Sequence, residues 1–184
     1  MKYLVRTMLA VMLLASTAAC GDDENDNEPD ANSGATTHEE EMAQGTIGNG
    51  TFVTFDGQSV NAYGIDFNKD GQLEFRISGN GEYVDYVWSE GGPNIVNNAE
   101  MWDLIEPLEK GDQVYSGCHW DGQGDAMLPE LSTLPEKFYV GFRFLLSDGI
   151  HYGWAKVEYD DGQLEWSKCA YNTKPGVTAF AGED

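Results

Sequence analysis

The chain is 184 residues long and carries 32 acidic against 10 basic side chains, which gives a formal net charge of −22 at neutral pH. A negative field of this size repels the phosphates of nucleic acids, so the composition excludes nucleic acid as a partner. The composition leaves three classes of possible partner, namely cations, neutral polymers such as glycans or extracellular matrix, and basic protein surfaces. The length allows one domain with a single core and excludes two large domains.

Residues 1–19 have the layout of a secretory signal peptide, in which two basic residues precede an apolar run at residues 8–15. That run is too short to span a bilayer. The following segment, Thr17-Ala18-Ala19-Cys20, resembles a bacterial lipobox. The resemblance implies cleavage before Cys20, lipid on its thiol and amine, and a protein anchored to the outer membrane or cell surface, with the periplasmic face as a further location. An ordinary signal peptide that releases a soluble protein is the alternative.

Residues 20–45 are predicted to form a tether between the lipidated Cys20 and the folded domain. Between residues 21 and 45 there are nine acidic side chains and no Lys or Arg. Such a segment lacks the apolar surface needed to fold, and its charges repel one another and extend the chain. The folded domain is therefore predicted to occupy residues 46–184.

Short runs of β-branched and aromatic residues, separated by Gly, Asp and Asn, fill the chain after residue 50 and predict strands joined by turns. The nine predicted strands are 51–55, 60–67, 72–77, 83–88, 113–115, 138–146, 151–159, 163–170 and 177–180. This spacing predicts an all-β fold, an antiparallel β-sandwich or jelly roll with little helix. A short helix is expected at residues 98–105, and a long loop at residues 121–137.

Two cysteines remain after Cys20, namely Cys118 and Cys169. In an exported protein such a pair predicts a disulfide, which would close a loop of about fifty residues and stabilise the fold by about 4 kcal/mol. Two separate buried thiols are the alternative.

Residues 66–74 read Asp-Phe-Asn-Lys-Asp-Gly-Gln-Leu-Glu. Oxygen-bearing residues at the first, third and fifth positions, with glycine at the sixth, match the start of a Ca²⁺ loop. The twelfth position is Ile77, which cannot ligate, so the segment is not an EF-hand. The ligands in this interpretation are Asp66, Asn68, Asp70, the backbone carbonyl of Gln72, and Glu74. A plain turn with no metal is the alternative, since Lys69 lies in its middle.

Aromatic side chains are abundant, with 5 Trp, 9 Tyr and 8 Phe. Glycan-binding sandwich modules stack sugar rings on exposed aromatic faces, and Trp88, Trp120 and Trp166 are the candidate ligand-binding residues. The alternative is that tryptophans in strands pack the core. Glu158 and Glu165 could face each other across the last long hairpin, as the two carboxylates of a glycosidase do.

Three segments near the carboxyl end are distinctive: 138–144 contains Gly-Phe-Arg-Phe, 151–157 contains Tyr-Gly-Trp, and 170–176 reads Ala-Tyr-Asn-Thr-Lys-Pro-Gly. They resemble a domain of secreted bacterial proteins, many of which end in a Pro-Glu-Pro sorting signal. The resemblance implies an exported all-β domain at the cell surface or in the matrix and assigns no catalytic residue. No such sorting signal follows here, so the lipid on Cys20 is expected to provide the anchor.

The sequence thus predicts a lipid-anchored protein of the bacterial cell envelope, whose non-catalytic β-sandwich binds or scaffolds and is stabilised by Ca²⁺ if the Asp-rich loop holds metal. A carbohydrate-binding module and a glycan-cleaving enzyme are the two alternatives.

Overall fold

The computed structural model describes residues 41–87, 93–98, 101–121, 124–160 and 162–183. This part of the chain contains fourteen strands and two short 3-10 turns, at Gly79–Gly81 and Leu131–Thr133. The strands are β1 (Met42–Gln44), β2 (Thr46–Val53), β3 (Ser59–Asp66), β4 (Phe75–Ser78), β5 (Tyr83–Asp85), β6 (Asn94–Ile95), β7 (Asn97–Asn98), β8 (Met101–Ile105), β9 (Gln113–Val114), β10 (Asp125–Met127), β11 (Lys137–Leu146), β12 (Gly149–Asp160), β13 (Gln163–Asn172) and β14 (Ala179–Phe180). The predicted all-β class is confirmed.

Two sheets form the sandwich. One has five strands in the order β1-β13-β12-β11-β6, and the other has seven in the order β2-β3-β4-β5-β10-β8-β7. Neighbouring strands are antiparallel except β8 and β10, which pair in parallel at Leu104 and Met127. A small third sheet, β14-β9, completes the set in the described residues. The chain passes from the five-stranded to the seven-stranded sheet at Gly45, between β1 and β2.

β11 shows how the sequence directs the two faces of the five-stranded sheet. Successive side chains of a strand point to opposite faces. Val140, Phe142 and Phe144 are fully buried in the main core between the two large sheets, as the alternation of residues 139–146 indicates. Phe144 stacks there on Phe67, which follows β3, with ring centroids 4.5 Å apart. Each such side chain contributes about 2 to 3 kcal/mol through its removal from water.

The opposite face of the five-stranded sheet is also covered. Tyr139 and Trp154 are buried there in a second cluster, with their rings edge to face at 5.4 Å. Remote segments complete this layer with the side chains Val96, Leu108, Val114, Ala179 and Ala181. Gly141 lies beneath them, and a Cβ atom at this position would stand 2.7 Å from Val96. The sheet is therefore buried on both sides.

Three local predictions are corrected by the structure. The helix expected at 98–105 is instead the hairpin of β7 and β8, since Ile105 pairs with Asn97 and is fully buried in the main core. The loop expected at 121–137 contains β10, because Ala126 and Leu128 reach the same core. The tether was predicted to run to residue 45, whereas β1 already pairs with β13.

Within the described residues, no helix has both the length and the apolar character needed to cross a membrane.

Candidate functional site

Residues 66–74, here called the acidic loop, join β3 to β4. Asp66 is buried, and its two carboxylate oxygens accept hydrogen bonds from the backbone N–H groups of Asp70 at 3.2 Å and Gly71 at 2.9 Å. Asn68 Oδ1 accepts a second bond from the N–H of Asp70 at 2.9 Å, and Asp70 Oδ1 accepts one from the N–H of Gln72 at 2.8 Å. Side-chain oxygens therefore hold the turn together through its own backbone.

Glu74 closes the acidic loop. Its Oε2 atom accepts a hydrogen bond from the backbone N–H of Phe67 at 2.8 Å. Burial, together with the negative charges of Asp66 and Asp70, raises the pKa of Glu74 to about 7, although the hydrogen bond from Phe67 acts in the opposite direction. The loop therefore contains three carboxylates that repel one another in a partly buried position.

Four of the predicted calcium ligands lie near one another. Asp66, Asp70 and Glu74 are close enough to interact electrostatically, and Asn68 Nδ2 donates to Asp70 Oδ2 at 3.1 Å. The fifth ligand, Gln72, was predicted through its backbone carbonyl, and the residue is exposed. No group of three or more His, Cys, Asp or Glu among the described residues is arranged to hold a metal ion. The oxygens of Asp66 are instead occupied by backbone N–H groups, as a plain turn requires. The metal site stays a prediction.

The predicted disulfide between Cys118 and Cys169 is not present, and both thiols are free. Cys169 lies in the main core, whereas Cys118 packs against the second cluster, on the other face of the five-stranded sheet. The sheet thus separates the two sulfur atoms. Burial raises the pKa of the Cys169 thiol to about 12 and also raises that of Cys118, so neither is an activated nucleophile.

The three predicted ligand-binding tryptophans do not form an exposed row. Trp166 is only 4% exposed, and its Nε1 donates to the carbonyl of Gly81 at 3.0 Å, so it is a core residue. Trp120 is half-buried: it stacks near Tyr152, and the Arg143 guanidinium lies 4.8 Å from its ring centre. Trp88 lies outside the described residues.

A buried polar network beside Trp120 escaped sequence reasoning. Asp121 is 1% exposed and accepts a hydrogen bond from the Tyr86 hydroxyl. The Asn94 amide donates to the backbone carbonyl of Asp121, and its oxygen accepts from Arg143 Nε at 2.7 Å. These groups come from four separate segments, so no local sequence pattern reveals them. They satisfy one another and join the edge strand β6 to the rest of the fold.

A second feature that the sequence analysis missed is an open cleft at Tyr63. Two concavities, of about 550 Å³ and 380 Å³, are both bordered by this side chain, which is 43% exposed. The first is bounded by the polar side chains of Asn49, Thr51 and Asn61. The second is bounded by Ile77, Ser78, Asn80, Gly81, Leu164, Glu165 and Trp166. The two concavities together are called the Tyr63 groove below.

The pairing of β2 with β3 explains why Tyr63 stands in the open. Residues 61, 63 and 65 share one face of β3 because side chains alternate. Ile65 is fully buried in the main core, whereas Tyr63 lies opposite Asn49 and beyond the core. One face of β3 thus packs into the core at Ile65 and is a more polar, partly exposed surface at Tyr63 and Asn61. Burial raises the pKa of Tyr63, and the nearby charge of Glu165 raises it further.

Glu158 and Glu165 are cross-strand partners on β12 and β13, as the sequence suggested. The Glu158 carboxylate lies 2.7 Å from the ammonium group of Lys156. A hydrogen bond from Lys156 lowers the pKa of Glu158, and its positive charge lowers it further. A glycosidase needs one carboxylic acid that is protonated near neutral pH, and Glu158 is held in the opposite state.

Comparison of this chain with protein-family models, with curated proteins and with solved structures finds no match.

Proposed function

We propose that this chain is a lipid-anchored protein of the bacterial cell envelope whose β-sandwich binds polysaccharide without cleaving it. The observation that carries the proposal is the Tyr63 groove. Ligand sites are concave and combine an apolar or aromatic surface with a few placed polar groups. The groove offers one exposed tyrosine ring between two concavities bordered by amides and hydroxyls, which suits the alternating apolar faces and hydroxyl edges of sugars.

The proposed location rests on the lipobox-like segment that ends at Cys20 and on the acidic residues after it. A lipid on Cys20 would hold the protein at a membrane, and the acidic tether would keep the sandwich away from an anionic surface. A domain presented in this way meets polysaccharides of the envelope or of the matrix. The location and the groove thus support the same class of ligand.

The state of the two glutamates supports binding rather than cleavage. Glu165 borders the groove, whereas Glu158 is paired with Lys156. Among the described residues, the arrangement thus supplies one carboxylate without an ion pair, that of Glu165, whereas the reaction of a glycosidase needs two, an acid and a base or nucleophile.

We propose in addition that Ca²⁺ binds the acidic loop and thereby steadies one wall of the groove. The observation that favours this is the repulsion among Asp66, Asp70 and Glu74, which a divalent cation would relieve. The loop is joined to β2 at Thr51, whose N–H donates to Gly71 at 3.1 Å and whose carbonyl accepts from Leu73 at 2.8 Å. Because Thr51 borders the groove, an ordered loop would hold this wall in place.

The experiment is a binding screen of the full-length protein, purified in detergent, against immobilised polysaccharides. Tyr63→Ala removes the ring, and Tyr115→Ala is a matched control because Tyr115 is 41% exposed and adjoins β9, in the layer on the other side of the five-stranded sheet. We expect Tyr63→Ala to weaken binding at least tenfold, which corresponds to about 1.4 kcal/mol, and Tyr115→Ala to leave it unchanged. Absence of binding by the wild-type protein, or equal binding by Tyr63→Ala, would overturn the proposal.

A further inference from the structure

The Tyr63 groove runs past its central residue on both sides. Both concavities are open to solvent, and Tyr63 borders each of them. Of the residues that the structure describes, Tyr63 is the one lining residue that the two concavities share, so a ligand that fills both contacts Tyr63 and extends toward Asn49 and Asn61 on one side and toward Ser78 and Glu165 on the other. This geometry suits the interior of a polymer chain, whereas a binder of chain ends needs a closed end.

Among the described residues, an acidic side chain but no basic one borders the groove. Glu165 is exposed, and it lies close enough to Tyr63 for its charge to act on the hydroxyl group. No Lys, Arg or His among the described residues borders either concavity. A carboxylate or sulfate on a sugar would therefore meet a negative charge without a compensating cation, in a protein whose net charge is already −22.

The polar groups that remain are suited to uncharged hydroxyls. The side-chain amides of Asn49, Asn61 and Asn80 each provide two N–H donors and one carbonyl acceptor, and Thr51 and Ser78 add hydroxyl groups. Such groups can satisfy a sugar hydroxyl as donor or as acceptor. They give no charge-assisted hydrogen bond to an acidic sugar.

From these observations we infer that the Tyr63 groove binds neutral polysaccharides in preference to acidic ones. It binds sugar units within the chain rather than at the chain ends. This inference rests on the proposed function and narrows its ligand class.

The test uses pairs of polysaccharides that share a backbone and differ in charge: hydroxyethyl against carboxymethyl cellulose, and methyl-esterified against de-esterified polygalacturonate. The full-length protein is titrated with each member at low ionic strength, where charge effects are largest. For any pair that binds, we expect the neutral member to bind at least tenfold more tightly. Added salt should reduce the difference in affinity between the neutral and the acidic member, because it screens the charges.

Glu165→Gln removes the charge at an exposed position of nearly the same shape, and Glu109→Gln is the control, since Glu109 is exposed and follows Leu108 of the second cluster. Glu165→Gln should reduce the preference for the neutral member at least threefold, and Glu109→Gln should leave it unchanged. Oligosaccharides cut from the bound polymer should gain affinity with length up to the span of both concavities.

The outcomes separate this inference from the function on which it rests. If a polysaccharide binds through Tyr63 but neutral and acidic members bind alike, or Glu165→Gln leaves their ratio unchanged, the charge selection is wrong while the binding function stands. If a disaccharide binds as tightly as the polymer, the proposal that internal sugar units fill both concavities is wrong. If no polysaccharide binds, the proposed function itself fails.

Discussion

Replacement of Glu74 by glutamine tests the electrostatics of the acidic loop. Glu74 has a pKa of about 7 in the folded protein and an ordinary value of 4.5, so the folded state holds this proton more tightly than the unfolded state. The stability contributed by this group is fully present below about pH 4.5 and is lost as the pH rises through about 7. The difference between the two pKa values corresponds to about 3 kcal/mol, and solvent at the partly exposed side chain reduces the expected effect to about 2 kcal/mol.

Glu74→Gln keeps an oxygen that accepts the N–H of Phe67 and removes the charge. We therefore expect the variant to be more stable than the wild type by about 2 kcal/mol at pH 8, a rise in Tm of roughly 6 °C, and equal to it at pH 4. The assay is thermal unfolding at low ionic strength at both pH values with EDTA present, with Glu109→Gln as the control. A variant that is less stable at pH 8, or that gains equally at both pH values, would show that the charge of Glu74 does not destabilise the folded protein.

The same variant tests the proposed calcium site. At pH 8, Ca²⁺ at one hundred times its dissociation constant adds about 2.7 kcal/mol to the stability of a protein that binds it only when folded. We expect a gain of this kind in the wild type and little gain in Glu74→Gln or Asp66→Ala. If the wild type unfolds identically in Ca²⁺ and in EDTA, the acidic loop is a plain turn that binds no Ca²⁺.

Three further changes probe the fold. Tyr86→Phe removes the hydroxyl that donates to buried Asp121, and urea unfolding should show a loss of about 1 to 3 kcal/mol; an unchanged midpoint would mean that the network is not closed by this bond. Gly141→Ala places a methyl group 2.7 Å from Val96, and calorimetry should show a loss of about 1 to 3 kcal/mol, which a neutral result would contradict. Because Cys118 and Cys169 are free thiols on opposite faces of a sheet, dithiothreitol should leave Tm unchanged; a lowered Tm would indicate a disulfide.

The sequence predicted the all-β sandwich because alternation in strands such as β11 is a local signal. Val140, Phe142 and Phe144 recur every second residue and enter the core as a group. The layer on the other face could not be predicted, since it depends on the missing side chain of Gly141 and on segments far away in the sequence. The expected helix failed for a related reason, because the burial of Ile105 in the main core is a tertiary contact that overrides the local pattern.

The candidate site was predictable only in part. Trp166 was expected at a ligand site because of its residue type, yet burial decides its role, and burial is not visible in composition. The acidic loop was located correctly as a turn between strands, since Asp and Gly at these positions have a local mechanism. The sequence around Tyr63 contains a local pattern that could have predicted its exposure. The inward face of β3 changes from Ile65 to Tyr63 and then to Asn61, which marks the point where the core ends.

The most direct test of the central claim is chemical-shift mapping by NMR on the isotope-labelled protein, titrated with the tightest-binding neutral oligosaccharide. We expect the backbone amides with the largest shifts to lie at the Tyr63 groove, above all at Asn49, Asn61, Tyr63 and Asn80. Shifts that cluster instead around Trp120 and Arg143, with the groove unchanged, would contradict it.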